Sequence, residues 1–292
     1  MASRREAPNA DAMRIVSVLR GVLPNPPQPA GRVTQLNVIR SEWIKLRSLR
    51  STWYSLLASV VIIVGLGTLF SALRAHRFNQ EIGPNGRVFG FDPTLVSLRG
   101  VFLAQLAIGV LGVLVITGEY STGMIRSSVA AVPRREPVLV AKALVFAITA
   151  LVISEVSAFA AFLLGQQALA STHLQASLST PHAIRAIIGA GLYLTVIGLL
   201  AVGLGFLIRS TAGAIASLFG IVLVLPLLSN ALPTPYSTDV AKYLPLNAGT
   251  QIMSTTNPDP TMLGPWAGLG ITALYALIAL LAGAVVLYRR DT

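Results

Sequence analysis

Six stretches of this chain are long and apolar enough to cross a lipid bilayer, and no other feature limits its fold as tightly. A bilayer core of about 30 Å takes about 20 helical residues. The stretches are Trp53–Leu73, Gly100–Thr117, Ala143–Gly165, Ala186–Ile208, Thr211–Leu232 and Trp266–Tyr288. All but the third lack an acidic or basic side chain. The expected fold is therefore an all-α membrane protein with six transmembrane helices. Composition excludes the alternatives. Of 292 residues, 54% are hydrophobic and mean hydropathy is +0.71. Only 11% are charged, against roughly 25% in a soluble domain, so a cytosolic enzyme or a disordered tail protein is excluded. With no Cys there is no disulfide scaffold, thiol nucleophile, zinc ribbon or iron–sulfur site.

An even number of spans puts both termini on one side, and the basic residues choose it. With the N-terminus inside, inner segments hold Arg40, Lys45, Arg47, Arg50, Arg126, Arg134, Arg135, Lys142, Arg209, Arg289 and Arg290. Outer segments hold Arg74, Arg77, Arg87, Arg99, Arg185 and Lys242. Positive charge concentrates on the cytoplasmic side, so both termini are expected in the cytoplasm. The net charge of +11 follows from this placement, and no nucleic-acid partner is expected. Trp53, Trp266 and Tyr288 stand at span ends, as interfacial aromatics do.

The segments between spans differ in character. Residues 1–32 are polar and proline-rich and read as a mobile cytoplasmic arm. Residues 33–52 read as an N-terminal interfacial amphipathic helix over Val33–Arg50. At 100° per residue, Leu36, Val38, Ile39, Trp43, Leu46 and Leu49 share one arc, and Asn37, Ser41, Lys45 and Ser48 lie opposite. Arg40, Trp43, Arg47 and Arg50 edge that arc and suit lipid phosphates. Glu42 projects from its middle, where a carboxylate needs a basic partner; Arg50, Arg126 and Lys142 are the candidates. A snorkelling surface Glu42 is the alternative. The inner segment 118–137 reads GEYSTGMIRSSVAAVPRREP, with a short helix expected over Ser121–Ala131, closed by Pro133. Such a helix, held between two spans, can transmit force; it can also be an ordinary polar connection. The outer segment 233–265 is long for a connection, and its Tyr236–Leu246 part reads as a short helix dipping back toward the membrane, a candidate re-entrant segment.

Within the membrane, Glu155 is the one acid well inside a span, about 20 Å above the inner face counting from Lys142. Gln105 lies at a similar depth and Arg99 nearer the outer surface. Glu155, Gln105 and Arg99 are candidate pathway residues; a structural hydrogen-bond role or proton coupling are the other readings of Glu155. Small residues recur at four-residue spacing in the fifth span (Ala212, Ala216, Gly220) and the sixth (Gly264, Gly268, Thr272, Ala276), suited to close packing within the chain or to a subunit interface. Catalytic constellations are missing: no H-E-x-x-H, no G-x-S-x-G, and no Lys preceded by Gly as a Walker A loop requires. Three scattered histidines (His76, His173, His182) offer no metal site. No catalytic residue and no cofactor are expected in this chain; ATP, if used, binds a partner.

Two motifs carry a family likeness. The helix S-E-W-I-K-L-R-S (Ser41–Ser48) runs into the first span, and the loop G-E-Y-S-T-G-M-I-R…P-R-R-E-P…A-K (Gly118–Lys142) follows the second. Together with the order of spans they resemble the permease subunits of ABC-2-type ATP-binding-cassette exporters, over about residues 36–288. The resemblance implies an interfacial helix carrying Glu42, Trp43, Lys45 and Leu46. It implies a loop that couples to a separate ATPase subunit through Glu119, Tyr120, Ser121, Thr122, Gly123, Arg126, Pro133, Arg134 and Arg135, with Lys142 matching the end of the pattern. It further implies two ATPase copies holding ATP and Mg, a second permease as homo- or heterodimer, and residence in the plasma (inner) membrane. The expected cargo is amphipathic or hydrophobic. An ion- or proton-coupled secondary carrier using Glu155 and a non-transporting membrane scaffold are the alternatives.

Overall fold

The computed structural model describes residues 34–81, 91–124, 136–256 and 261–290. The arm, Arg126, Pro133, Arg134, Arg135 and most of the helix expected over Ser121–Ala131 lie outside the described residues. All regular structure among the described residues is helical: α1 (Gln35–Ser48), α2 (Arg50–Glu81), α3 (Pro93–Ser97), α4 (Val101–Ser121), α5 (Glu136–Leu169), α6 (Ala183–Ile208), α7 (Thr211–Phe219), α8 (Leu225–Ser229), α9 (Tyr236–Ala241), α10 (Pro245–Thr250) and α11 (Pro265–Arg290). Among the described residues, six helical stretches are long and apolar enough to cross a membrane: α2, α4, α5, α6, the continuous α7–α8 and α11.

Local chemistry sets the boundaries. Pro245 and Pro265 stand at the first positions of their helices, where a missing N–H costs nothing. Asp92 caps α3 by accepting from Leu95 N at 3.0 Å, with Pro93 at N1. Ser210 caps α7, after Arg209 takes the left-handed conformation that closes α6. A π-helical turn, Gly220–Val224, joins α7 to α8. It precedes Pro226, whose ring would meet the carbonyl of Val222 in a regular α-helix. The break between α1 and α2 falls at Leu49, so Arg50–Thr52, expected in the pre-span helix, already belong to α2. Trp53 closes the break by donating its Nε1–H to Arg47 O at 3.0 Å.

The hub is α6, which packs against α4, α5 and α11. Its buried face carries Tyr193, Leu194, Ile197 and Phe206 against Ile108, Ile116, Phe146 and Ala279. The first span, α2, lies across α4 and α5. One end of the bundle, the α1 end, gathers α1, the end of α4, the start of α5 and the α6–α7 turn, where Thr211 donates to Thr117 at 2.8 Å. The far end holds α3 and the 170–182 connection.

Segment 233–265 does not fold as one helix over Tyr236–Leu246. It breaks at 242–244 and restarts at Pro245, because proline cannot extend a preceding helix but readily begins one. The second piece, α10 with its 3-10 extension Gln251–Met253, sits inside the bundle: Ala248, Ile252 and Met253 are fully buried. A Cβ on Gly268 of α11 would lie 2.1 Å from Ala248 O, and one on Gly249 would lie 2.5 Å from the Tyr193 ring. Tyr193 is ten residues into α6, about 15 Å along its axis, so α10 reaches well below the far end.

Candidate functional site

The charged residues of α1 and of the 118–142 segment meet in one buried cluster. On α1 the buried stripe is Val38, Glu42 and Leu46, four residues apart, so Glu42 points with its apolar neighbours into the protein. Val38 packs on Val138 and Ala141 at the start of α5. Lys142, one turn beyond Val138, thereby faces Glu42. Its Nζ lies 2.6 Å from Glu42 Oε2 and 2.6 Å from Glu119 Oε1, the latter at the end of α4. Lys45 Nζ lies 2.7 Å from Glu42 Oε1 and 3.4 Å from Glu119 Oε1. Lys142 is 2% exposed, Glu42 5% and Glu119 7%. Of the two candidate partners for Glu42 among the described residues, Arg50 and Lys142, it is Lys142 that is in place, with Lys45 beside it. Two acids and two bases cancel, which offsets desolvation costs of several kcal/mol per ion. Burial pulls the Lys45 ammonium down, but its hydrogen bond to Glu42 and the nearby Glu119 charge outweigh it and hold the group above its ordinary range. Glu119 Oε2 is buried and accepts no hydrogen bond from a described residue.

The cluster borders a cavity of about 370 Å³ whose other walls include Leu114, Val115, Met124 and Val145. Here α4 ends: Ser121 and Thr122 hydroxyls both donate to Gly118 O at 2.9 Å. Gly123 then takes a φ of +72°, a left-handed stop that suits glycine. Tyr120 is half-buried beneath the Arg209 guanidinium, 5.1 Å from the ring centre. Arg209 also donates to Val286 O at 3.0 Å. This clamp joins the ends of α4, α6 and α11, and sequence reasoning used Arg209 only as an inner charge. Trp43 is 43% exposed on α1 and takes no part in the cluster. Leu36, Ile44 and Leu49 are exposed too: α1 buries a narrower stripe than its apolar arc.

The family comparison bears on this geometry. A model of ABC-2 family transporter proteins matches residues 38–228, about two thirds of the chain. The match takes in Glu42, Lys45, Glu119 and Lys142. The chain belongs to the ABC-2 family of transporter proteins. No curated protein matches it. With its six apolar helices, this ABC-2 chain is a multi-pass membrane protein and a membrane component of a transporter.

The intramembrane candidates of the ABC-2 chain do not form one group. Gln105 is 1% exposed, accepts from the fully buried Tyr193 hydroxyl and donates to Phe102 O at 2.7 Å. It forms a closed bond between α4 and α6. Glu155 packs on Gly191 of α6, where an added Cβ would lie 2.4 Å from its carboxyl carbon. Its Oε2 is buried without a hydrogen-bond partner among the described residues. Arg99 lies exposed at the far end. Sequence reading missed Asp92: besides capping α3, it accepts from Thr255 N at 2.6 Å and Thr255 Oγ1 at 2.8 Å, fixing the end of the α10 segment. The Asp-Pro pair at a helix start was the legible signal.

Proposed function

We propose that this chain is the permease of an ATP-driven exporter, with the α1 end in the cytoplasm and the 118–137 segment as the coupling loop for a separate ATPase. The observation that carries the reading is the buried Glu42–Lys45–Glu119–Lys142 cluster. The loop leaves α4 beside Glu119 and returns to α5 just before Lys142, so both its ends are tied to one ionic joint and to α1. A push on such a loop moves three elements together instead of being absorbed by a slack connection. ATP and Mg belong to the ATPase, since this chain has no Walker A lysine. Two ATPases and a second permease would complete the machine. Segment 233–265 serves as its re-entrant outer hairpin. An amphipathic cargo fits the mostly apolar span surfaces.

Co-expression with candidate ABC ATPases, followed by purification on a tag carried by this chain, tests the reading. A stoichiometric ATPase is expected, with its release and loss of ATP-dependent export on E119Q/R126Q. Absence of any ATPase, together with unchanged export in that variant, would overturn it. The unpartnered Glu155 oxygen is what favours a second reading, an ion-coupled carrier. Uptake driven by a pH gradient in vesicles containing this chain alone, and abolished by E155Q, would establish that one instead.

A further inference from the structure

Arg74, Arg77 and Arg99 converge at the far end of the bundle around a cavity of about 380 Å³. Basic residues are the minority at that end (six against eleven at the other end from Arg40 onward), and three of the six meet here. Asp92 also lines the cavity, but both its oxygens are taken. Oδ1 accepts from Leu95 N at 3.0 Å and Thr255 Oγ1 at 2.8 Å; Oδ2 accepts from Thr255 N at 2.6 Å and Thr256 N at 3.3 Å. The Arg74 guanidinium rests 5.6 Å from the centre of the Phe91 ring, which fixes its place in the wall. Arg77 and Arg99 are exposed, and neither guanidinium is hydrogen-bonded or ion-paired to a described residue. Net charge in the lining is positive, and two guanidinium forks remain open to an anion.

The apolar part of the wall says which anion. Phe70, Arg74 and Arg77 are spaced four and three apart on one face of α2, and Arg77 stands about 10 Å beyond Phe70 along the axis. Phe70 and Leu73 are 36% and 46% exposed. An apolar strip thus gives way to a cationic rim over the distance in which a membrane passes from acyl chain to headgroup. Guanidinium forks match phosphate oxygens in pairs.

We propose that this cavity binds the phosphate of an anionic phospholipid, the forks of Arg77 and Arg99 holding its oxygens and an acyl chain lying along Phe70 and Leu73. Soluble phosphate offers the same oxygens, and the test separates the two sources. Placing the lipid in the outer leaflet rests on the orientation proposed above; the binding itself needs neither an ATPase nor transport.

The test is native mass spectrometry of the full chain from micelles containing equal phosphatidylglycerol and phosphatidylcholine. The wild type is expected to keep phosphatidylglycerol over phosphatidylcholine about tenfold more strongly than R77Q/R99Q, with R77K/R99K in between. R4Q/R5Q changes net charge equally and should keep the full preference. Both substituted arginines are exposed, and unchanged helical circular dichroism would show that R77Q/R99Q still folds. Retention that survives millimolar inorganic phosphate assigns the site to lipid. Displacement by inorganic phosphate, which then raises the melting temperature of wild type but not of R77Q/R99Q, keeps the phosphate site and overturns the lipid as its occupant. Equal retention by wild type and R77Q/R99Q, or an equal loss in R4Q/R5Q, overturns the proposal and leaves the permease reading untouched.

Discussion

Lys142 is the residue on which the ionic joint turns, because it is the most buried of the four and bonds both carboxylates at 2.6 Å. Lys142→Met would leave Glu42 and Glu119 facing each other with only the partly exposed Lys45 between them. Breaking a buried pair by removing one member costs about 3–5 kcal/mol, so this variant should melt far below the wild type in detergent. Lys45→Met should cost about 1 kcal/mol or less, as its side chain is 27% exposed and solvent screens the pair. Differential scanning fluorimetry of the two variants side by side checks the ranking; equal losses would mean that the joint does not depend on burial. Lys45 also predicts a pH dependence with a definite sign. Its ammonium is held above the ordinary value of 10.5, so the folded state binds that proton more tightly than the unfolded chain does. The stabilisation is complete below 10.5 and is lost as pH rises through the higher folded value. The melting difference between wild type and K45M should therefore stay constant up to 10.5 and shrink only above it.

Among the elements, α10 is held by backbone contact as much as by side chains. Gly268→Ala would bring a Cβ within 2.1 Å of Ala248 O, and a carbonyl of a buried helix cannot swing aside as a flexible side chain can. A loss of roughly 1–3 kcal/mol is expected from such overpacking. Gly264→Ala, whose Cβ would meet nothing within 4 Å, should stay within about 0.5 kcal/mol of wild type. Thermal melts of both variants decide whether α10 is seated as described. The sixth-span stripe of small residues is thereby explained within the chain, since Gly268, Thr272 and Ala276 face the α10 segment or the core. The fifth-span stripe is not, for Ala212 and Ala216 are exposed and the buried positions are Ala214, Leu218, Val222, Pro226 and Ser229. What could be read from sequence follows the same division. Span positions were legible because hydropathy is a local sum over about 20 residues. Glu42's need for a base was legible because its angle on one helix places it among apolar residues. The choice of Lys142 over Arg50 was not, because it depends on how α5 docks on α1. The bond from Asp92 to Thr255 crosses 163 residues, and no periodicity announces a contact at that range.

At the scale of the whole molecule, the surface that would repel water is the one a bilayer accepts. Leu57 and Val61 on α2 and Leu227 and Leu228 on α8 are each more than half exposed, while α6 is enclosed on nearly all sides. In water such faces would aggregate; in lipid they cost nothing and leave α2 and α7–α8 open to a second copy. Sidedness then decides between the coupling reading and its rivals, since a coupling loop must lie where ATP is. The chain has no cysteine, so single cysteines report without background. Ser41→Cys, exposed on α1, and Gln175→Cys, exposed in the far-end connection, stand at opposite ends of the bundle. A membrane-impermeant maleimide added to intact cells should label Q175C and leave S41C unlabelled until the membrane is opened. The reverse pattern would put the Glu42–Lys142 joint outside the cell, away from any ATPase, and the charge bias of the inner segments would then need another cause.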